Sequence, residues 1–139
     1  MRKLLILLAE DNYGDVLLVR EALRQHGLEH TLAVVRDGSE AARYIESIGP
    51  DDAGRCPDVF LLDVNLPKRD GHELLRLLRS HPLCAGAPVI VITSSNAERD
   101  QRLAAEGGAT RYFQKPSDLD EFIRLGALVN EVAAEIDRS

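Results

Sequence analysis

Val59-Phe60-Leu61-Leu62-Asp63-Val64-Asn65-Leu66-Pro67 is the stretch that decides the fold. Val59–Leu62 is too short and too branched to be a helix, and its unbroken hydrophobicity marks a strand covered on both faces, as in a parallel sheet. Leu4-Leu5-Ile6-Leu7-Leu8 and Val89-Ile90-Val91-Ile92 read the same way. Thr31–Val35 and Thr110–Phe113 are weaker strands. The intervening segments have helical period: Val16, Val19 and Leu23 share one face, as do Ala41, Tyr44, Ile45 and Ile48, and then Leu74, Leu75 and Leu78. Helix starts are expected at Asn12 with Asp15, Asp37 with Glu40, Ser95 with Glu98, and Ser117 with Asp120, the Ser95/Glu98 pair having capping-box spacing. Gly107-Gly108 reads as the stop of the fourth helix.

Strand and helix thus alternate five times, which predicts an α/β fold. A doubly wound parallel sheet carries helices on both faces, joined by right-handed crossovers. The 139 residues are enough for one domain. They fold to roughly 7,000 Å² of surface from roughly 22,000 Å², so a core forms without staples. Hydrophobic residues at 45% and charged residues at 29% exclude disorder and collagen. Seventeen basic against twenty-three acidic residues give a net charge of −6, which argues against nucleic acid as a partner. Leu4–Ala9 is shorter than a signal h-region and runs into Glu10-Asp11, and no stretch is long enough to span a membrane, so a cytoplasmic location is expected. Gly49–Arg55 is a surface excursion rather than a linker. Cys56 and Cys84 form no Cys-x-x-Cys pair and read as reduced, incidental thiols.

Ligands of open α/β sheets bind outside the carboxyl ends of the strands. Those ends carry Glu10-Asp11, Asp63, Thr93-Ser94 and Lys115. Taken singly, Asp63 is a turn or cap residue, Glu10-Asp11-Asn12 a helix cap, Thr93 a strand residue and Lys115 a solvated one. Their joint occurrence on one rim is the signal. Three carboxylates with no His or Cys beside them suit a hard cation such as Mg²⁺. A carboxylate with a reference pKa of about 3.9 is a nucleophile that needs no base. Lys115 can neutralise a phosphoryl group and Thr93 can bond it. Phosphoryl transfer is mostly positioning and charge neutralisation, so these residues predict an aspartate that accepts a phosphoryl group.

The same residues resemble the receiver domains of two-component response regulators. The resemblance runs from about Lys3 to about Val132. It rests on Glu10-Asp11, on Leu61-Leu62-Asp63-Val64-Asn65-Leu66-Pro67 with Gly71, on Ile92-Thr93-Ser94, on Gly108-Ala109 and on Lys115-Pro116. It implies a flavodoxin-like (βα)5 sheet of order 2-1-3-4-5 and a single receiver domain over residues 1–139 with no output domain. Asp63 would take the phosphoryl group from a sensor histidine kinase, as a signalling domain that catalyses its own phosphorylation and dephosphorylation rather than as an enzyme. Asp11 would ligate Mg²⁺ directly and Glu10 mainly through water, with Asp63 and the Asn65 main-chain carbonyl completing the set. Thr93 and the backbone N–H of Ser94 would bond the phosphoryl oxygens, Lys115 would pair with it across a cis Lys115–Pro116 bond, and Tyr112 would be the switch aromatic. Asn65 and Ser95 occupy positions that tune dephosphorylation in the family. The Gly49–Arg55 excursion, Leu66–Gly71 and Pro116–Phe122 look like the phytochrome-associated regulators, which would make a phytochrome kinase the partner.

Competing readings are a flavodoxin-like cofactor binder, a Mg²⁺-dependent phosphatase of the haloacid dehalogenase type, and a degenerate receiver acting as a binding module. The first needs a phosphate-cradling loop where Glu10-Asp11 stand. The second needs an acid where Asn65 stands, and the third should lack a key residue.

The last helix, over about 118–137, would be about 30 Å long. Phe122, Leu125, Val129, Val132 and Ile136 repeat at 3, 4, 3, 4, an a/d seam. Strands of 17–20 Å would leave Val132 and Ile136 overhanging, so a homodimer through this helix is expected. The polar run Glu98–Arg102 marks the fourth helix as weakly packed and able to move. His26, His30, His72 and His81 show no ligand spacing and read as surface or helix-end residues, and Arg76 and Arg79 read as solvated.

Overall fold

The computed structural model describes residues 3–49 and 55–137, so most of the excursion, residues 50–54, lies outside the described residues. Strands β1 (Leu4–Ala9), β2 (His30–Val35), β3 (Val59–Leu62), β4 (Val89–Thr93) and β5 (Arg111–Gln114) alternate with helices α1 (Tyr13–Gln25), α2 (Gly38–Glu46), α3 (Gly71–Ser80) and α4 (Glu98–Glu106). A turn of helix α5 (Leu119–Phe122) and then α6 (Arg124–Asp137) close the chain. All neighbouring strands are parallel, in the order β2-β1-β3-β4-β5. This is the flavodoxin-like order expected of the sequence.

Successive residues of a strand point to opposite faces, so a run with no polar break must have two covers. On one face Ile6, Leu8, Val59, Leu61, Ile90 and Ile92 pack against Val16, Val19 and Leu23 of α1 and Leu125, Val129 and Val132 of α6. On the other, Leu7, Phe60 and Leu62 pack against Ala41 and Ile45 of α2 and Leu74, Leu75 and Leu78 of α3. The three helical faces read from the sequence are the buried ones. Helix α4 is the exception, because Ala104 is its one buried residue and shares a small cluster with Val64 and Val91.

Two helix starts are as expected: Asn12 Oδ1 accepts from Asp15 N at 3.0 Å and Asp37 Oδ1 from Glu40 N at 2.8 Å. Two are not. The cap of α5 is Asp118, which accepts from Asp120 N, rather than Ser117. Helix α4 starts after Ala97 with no side-chain cap, because the Ser95 hydroxyl is engaged with Ala97 N and Asp100 instead. Gly108 (φ 92°) ends α4, with Ala109 N bonded to Ala104 O and Gly108 N to Ala105 O, a Schellman arrangement. Strand β5 begins one residue late, since the Thr110 hydroxyl accepts from Val89 N at the head of β4.

The a/d seam of the last helix faces the chain's own core. The helix is interrupted at Ile123, and α6 has 14 residues. It is therefore about 21 Å long, the length of the strands beneath it rather than 30 Å. Phe122, Leu125, Val129 and Val132 are at most 2% exposed, and Ile136 packs on the same core. The a/d spacing faces the chain's own sheet and α1, so those side chains are already covered.

The cysteine reading fails. Cys56 precedes β3 and Cys84 follows α3, yet their Cα atoms are 5.8 Å apart and the two form a disulfide. Strands β3 and β4 are adjacent and parallel, so the segments entering them meet at one edge of the sheet, a proximity invisible at a sequence separation of 28. Arg79 is not solvated either. It donates to the carbonyls of Ala85, Ala87 and Gly108, tying the turn that enters β4 to the turn between α4 and β5, whereas Arg76 is exposed.

Helix α6 lies so close to α1 that a Cβ on Gly126 would stand 2.3 Å from the Ala22 carbonyl oxygen and 2.4 Å from His26 Nδ1. Gly126→Ala is expected to destabilise the domain by about 1–3 kcal/mol, the usual range for overpacking, as read from the urea midpoint.

Candidate phosphoacceptor and metal site

Parallel pairing carries the chain ends of β1, β3, β4 and β5 to one rim. Glu10 N bonds Val35 O at 3.0 Å, Asp63 N bonds Ala9 O at 3.1 Å and Lys115 N bonds Thr93 O at 2.7 Å, so each of these residues still belongs to the ladder. Glu10, Asp63 and Thr93 are buried at the rim, and Asp11 is exposed beside them. The loop from Val64 to Asp70 folds back tightly over Asp63. A Cβ on Gly71 would meet the Asp63 carbonyl oxygen at 2.5 Å, which explains a glycine there.

Oxygens of Glu10, Asp11 and Asp63 lie within 4.8 Å of one another. That spread is close to the ~4–5 Å across the oxygen shell of a cation bound at 2.1–2.6 Å, and the donors are hard oxygens only. The residues therefore fit a hard divalent cation. Lys115 Nζ donates to Glu10 Oε1 at 2.6 Å, Asp63 Oδ2 at 2.8 Å and Asp15 Oδ2 at 2.8 Å. Asp63 Oδ1 accepts from Asn65 N at 2.9 Å, and Glu10 Oε2 from Asn12 N at 3.1 Å. Thr93 Oγ1 accepts from Asn65 Nδ2 at 3.3 Å and from Ser95 N at 3.2 Å. Ser94 is exposed on the rim next to Thr93. Tyr112 OH donates to the Ser95 carbonyl at 2.8 Å, half-buried and within the same loop network.

The rim thus brings together Glu10, Asp11, Asp63, Thr93 and Lys115 as the sequence predicts. It does so with a trans Lys115–Pro116 bond rather than a cis one, every described peptide being trans. Trans is the favoured isomer of an X–Pro bond, and Lys115 reaches its three carboxylates from it. Two participants were missed. Asp15 donates its backbone N–H to the cap Asn12, while its side chain in the first turn of α1 accepts from Lys115, a partner that no spacing in the sequence marks. His72 was read as superficial but is 4% exposed and bonds Asp100 at 3.1 Å. Its place three residues before Leu75, on the apolar face of α3, was the available signal. His26 and His30 bond nearby backbone carbonyls at a helix end and a strand start, and His81, at the end of α3, bonds the Ile48 carbonyl just past α2, 33 residues away.

Burial is the main cause that pushes Glu10 up to about 7, with the charge of Asp63 adding to it. Lys115 pulls the other way, but its single charge is divided among three acids. Those acids and their hydrogen bonds hold Lys115 above its ordinary value against burial. Bonds from Ser95 and then His72 hold Asp100 below the usual carboxylate range.

Between its unfolded value of 4.5 and about 7, Glu10 keeps its proton in the folded chain and releases it in the unfolded one. The native state then binds more protons, so stability falls as pH rises through that window. With chelator present, Glu10→Gln is expected to remove this slope. It should gain stability over wild type on the order of 1 kcal/mol near pH 8 and little near pH 5, as measured by urea denaturation.

The model of the response regulator receiver domain matches residues 6–125. Response regulator Rcp1 of Synechocystis sp. is 34% identical over 120 residues, covering 86% of this chain and 82% of that protein. The structure of its Mn²⁺-bound form superposes with a TM-score of 0.81 at 32% identity, covering 91% of each chain. The phosphorylated cyanobacterial phytochrome response regulator RcpA gives a TM-score of 0.84 at 34% identity, over 94% of this chain and 93% of that one. The bacteriophytochrome response regulator RtBRR gives 0.76 at 34% identity, over 94% and 78%. With its acid cluster, hydroxyl and lysine on the rim of a 2-1-3-4-5 sheet, the chain belongs to the response regulator receiver domain family and stands close to the phytochrome response regulators.

Proposed function

We propose that the chain receives a phosphoryl group on Asp63 from the phosphohistidine of a sensor kinase, a phytochrome in view of its relatives, in a cytoplasmic relay. The observation that carries this reading is the Lys115 ammonium 2.8 Å from Asp63 Oδ2, at the edge of the acid cluster. An Asp63 oxygen attacks phosphorus as the P–N bond breaks, and the bonding pair returns to the imidazole. The new charge sits on equatorial oxygens that Lys115 can neutralise. Thr93, which accepts from Asn65 and Ser95, has its hydroxyl hydrogen free to donate to one of them, and the backbone N–H of Ser94 would bond another. Glu10, Asp11, Asp63 and the Asn65 carbonyl would hold Mg²⁺, which when bound neutralises the acids and the incoming phosphoryl group. Asp15 keeps a partner for Lys115 when Asp63 is esterified. The chain serves as acceptor and switch, catalysing its own modification rather than turning over substrate.

Incubation with acetyl phosphate and Mg²⁺ is expected to add one phosphoryl group by intact mass, and none to Asp63→Asn or in the presence of chelator. An adduct on Asp63→Asn, or none on wild type with a beryllofluoride titration also flat, would sink the proposal. Lys115→Gln is expected to slow the modification about a hundredfold or more, the scale of losing one preorganised charge-stabilising donor.

A further inference from the structure

We propose that His72 and Asp100 are positioning residues that hold Thr93 and α4 in the resting arrangement, a polar latch between α3 and α4. The inference deepens the phosphoacceptor reading and rests on it for its consequence, though not for its existence.

Helix α4 cannot be held by its core. Among the described residues of α4, Ala104 alone is buried, in a cluster with Val64 and Val91. Its N-terminus has no side-chain cap at Ala97. A chain of polar contacts fixes it instead. His72 Nε2, on α3, lies 3.1 Å from Asp100 Oδ1, in the first turn of α4. Asp100 Oδ2 accepts from Ser95 Oγ at 2.7 Å, and the same oxygen of Ser95 accepts from Ala97 N at 3.1 Å. Ser95 N donates to Thr93 Oγ1 at 3.2 Å, and Ser95 O accepts from Tyr112 OH at 2.8 Å. Ser95 is therefore a hub with every polar atom engaged, and it connects the Thr93 hydroxyl directly to α4 and Tyr112.

His72 is an expensive way to fill this place. Its Nδ1 is buried with no hydrogen-bond partner among the described residues. An unpaired buried polar atom costs free energy that an apolar side chain would not. The cost is offset if the other ring nitrogen is needed for Asp100, whose side chain is 19% exposed and would otherwise turn to water. Thr93 keeps its hydroxyl hydrogen for a phosphoryl oxygen, but the bonds it accepts from Ser95 N and Asn65 Nδ2 hold Oγ1 in place, so the strength of the hub sets how readily Thr93 shifts. Removing the His72 donor loosens Asp100, then Ser95, and favours the phosphorylated arrangement by weakening the resting one.

The test compares wild type, His72→Leu and His72→Gln, the last restoring an N–H donor toward Asp100. Amide hydrogen exchange of α4 is read without ligand. Affinity for beryllofluoride with Mg²⁺ is read from the Thr93 and Ser95 amide resonances. For His72→Leu the expected results are α4 exchange faster than that of α3 and the sheet, and beryllofluoride affinity about tenfold tighter. Tenfold is the scale of one hydrogen bond to a charged group. His72→Gln is expected to return both to wild type. A folded His72→Leu with unchanged α4 exchange and unchanged affinity overturns the latch, as does a Gln variant indistinguishable from Leu. Should His72→Leu not fold, Asp100→Ala at the outer end carries the same two readouts. A wild type that never binds beryllofluoride defeats the phosphoacceptor reading alone, and the exchange comparison still decides the latch.

Discussion

Acid groups crowd the rim of the sheet, and their mutual repulsion has to be balanced before anything else there can be arranged. The balance comes from Lys115, whose ammonium lies within 2.8 Å of Glu10, Asp15 and Asp63. Burial, with the charge of Asp63 adding to it, holds Glu10 protonated up to about 7, and one positive charge against three acids leaves the site short of cations. The deficit is what makes the place receptive to a divalent ion, since the ion supplies charge that the protein withholds. A site neutralised internally would have no such demand.

The sheet was legible because parallel strands buried on both faces leave an unbroken apolar signature, so β1, β3 and β4 could be read almost residue by residue. Of the edge strands, β2 starts one residue earlier than expected, at His30, and β5 is shifted one residue later, where Thr110 serves as an end cap for its neighbour. The chemical residues were legible for a related reason: a polar residue directly after a buried run has nowhere to go but the rim. Asp15 and His72 escaped because each had an adequate local explanation, a helix cap and a helix surface, that hid its tertiary partner.

The misreadings share a cause. The a/d seam of the last helix, the distance between Cys56 and Cys84 and the solvation of Arg79 all depend on what lies opposite in space. Hydrophobic periodicity shows that a helix face is buried without saying whether its own domain or a second copy buries it. Here the break at Ile123 shortens the helix to the length of the sheet, and Gly126 lets it settle against α1. Polar connections across the fold, such as Asp100 to His72 over 28 residues, leave no local trace.

Lys115 meets Glu10 across 105 residues of sequence and Asp15 across 100. Contacts so non-local are made late, after the loop-closure entropy of the intervening chain has been met by docking the central strands. A nascent or partly unfolded chain holds Asp63 without its ammonium partner and without the full acid cluster. The charge balance of the rim is therefore tied to completed folding: the first and last strands must both be seated before Lys115 meets Glu10, Asp15 and Asp63.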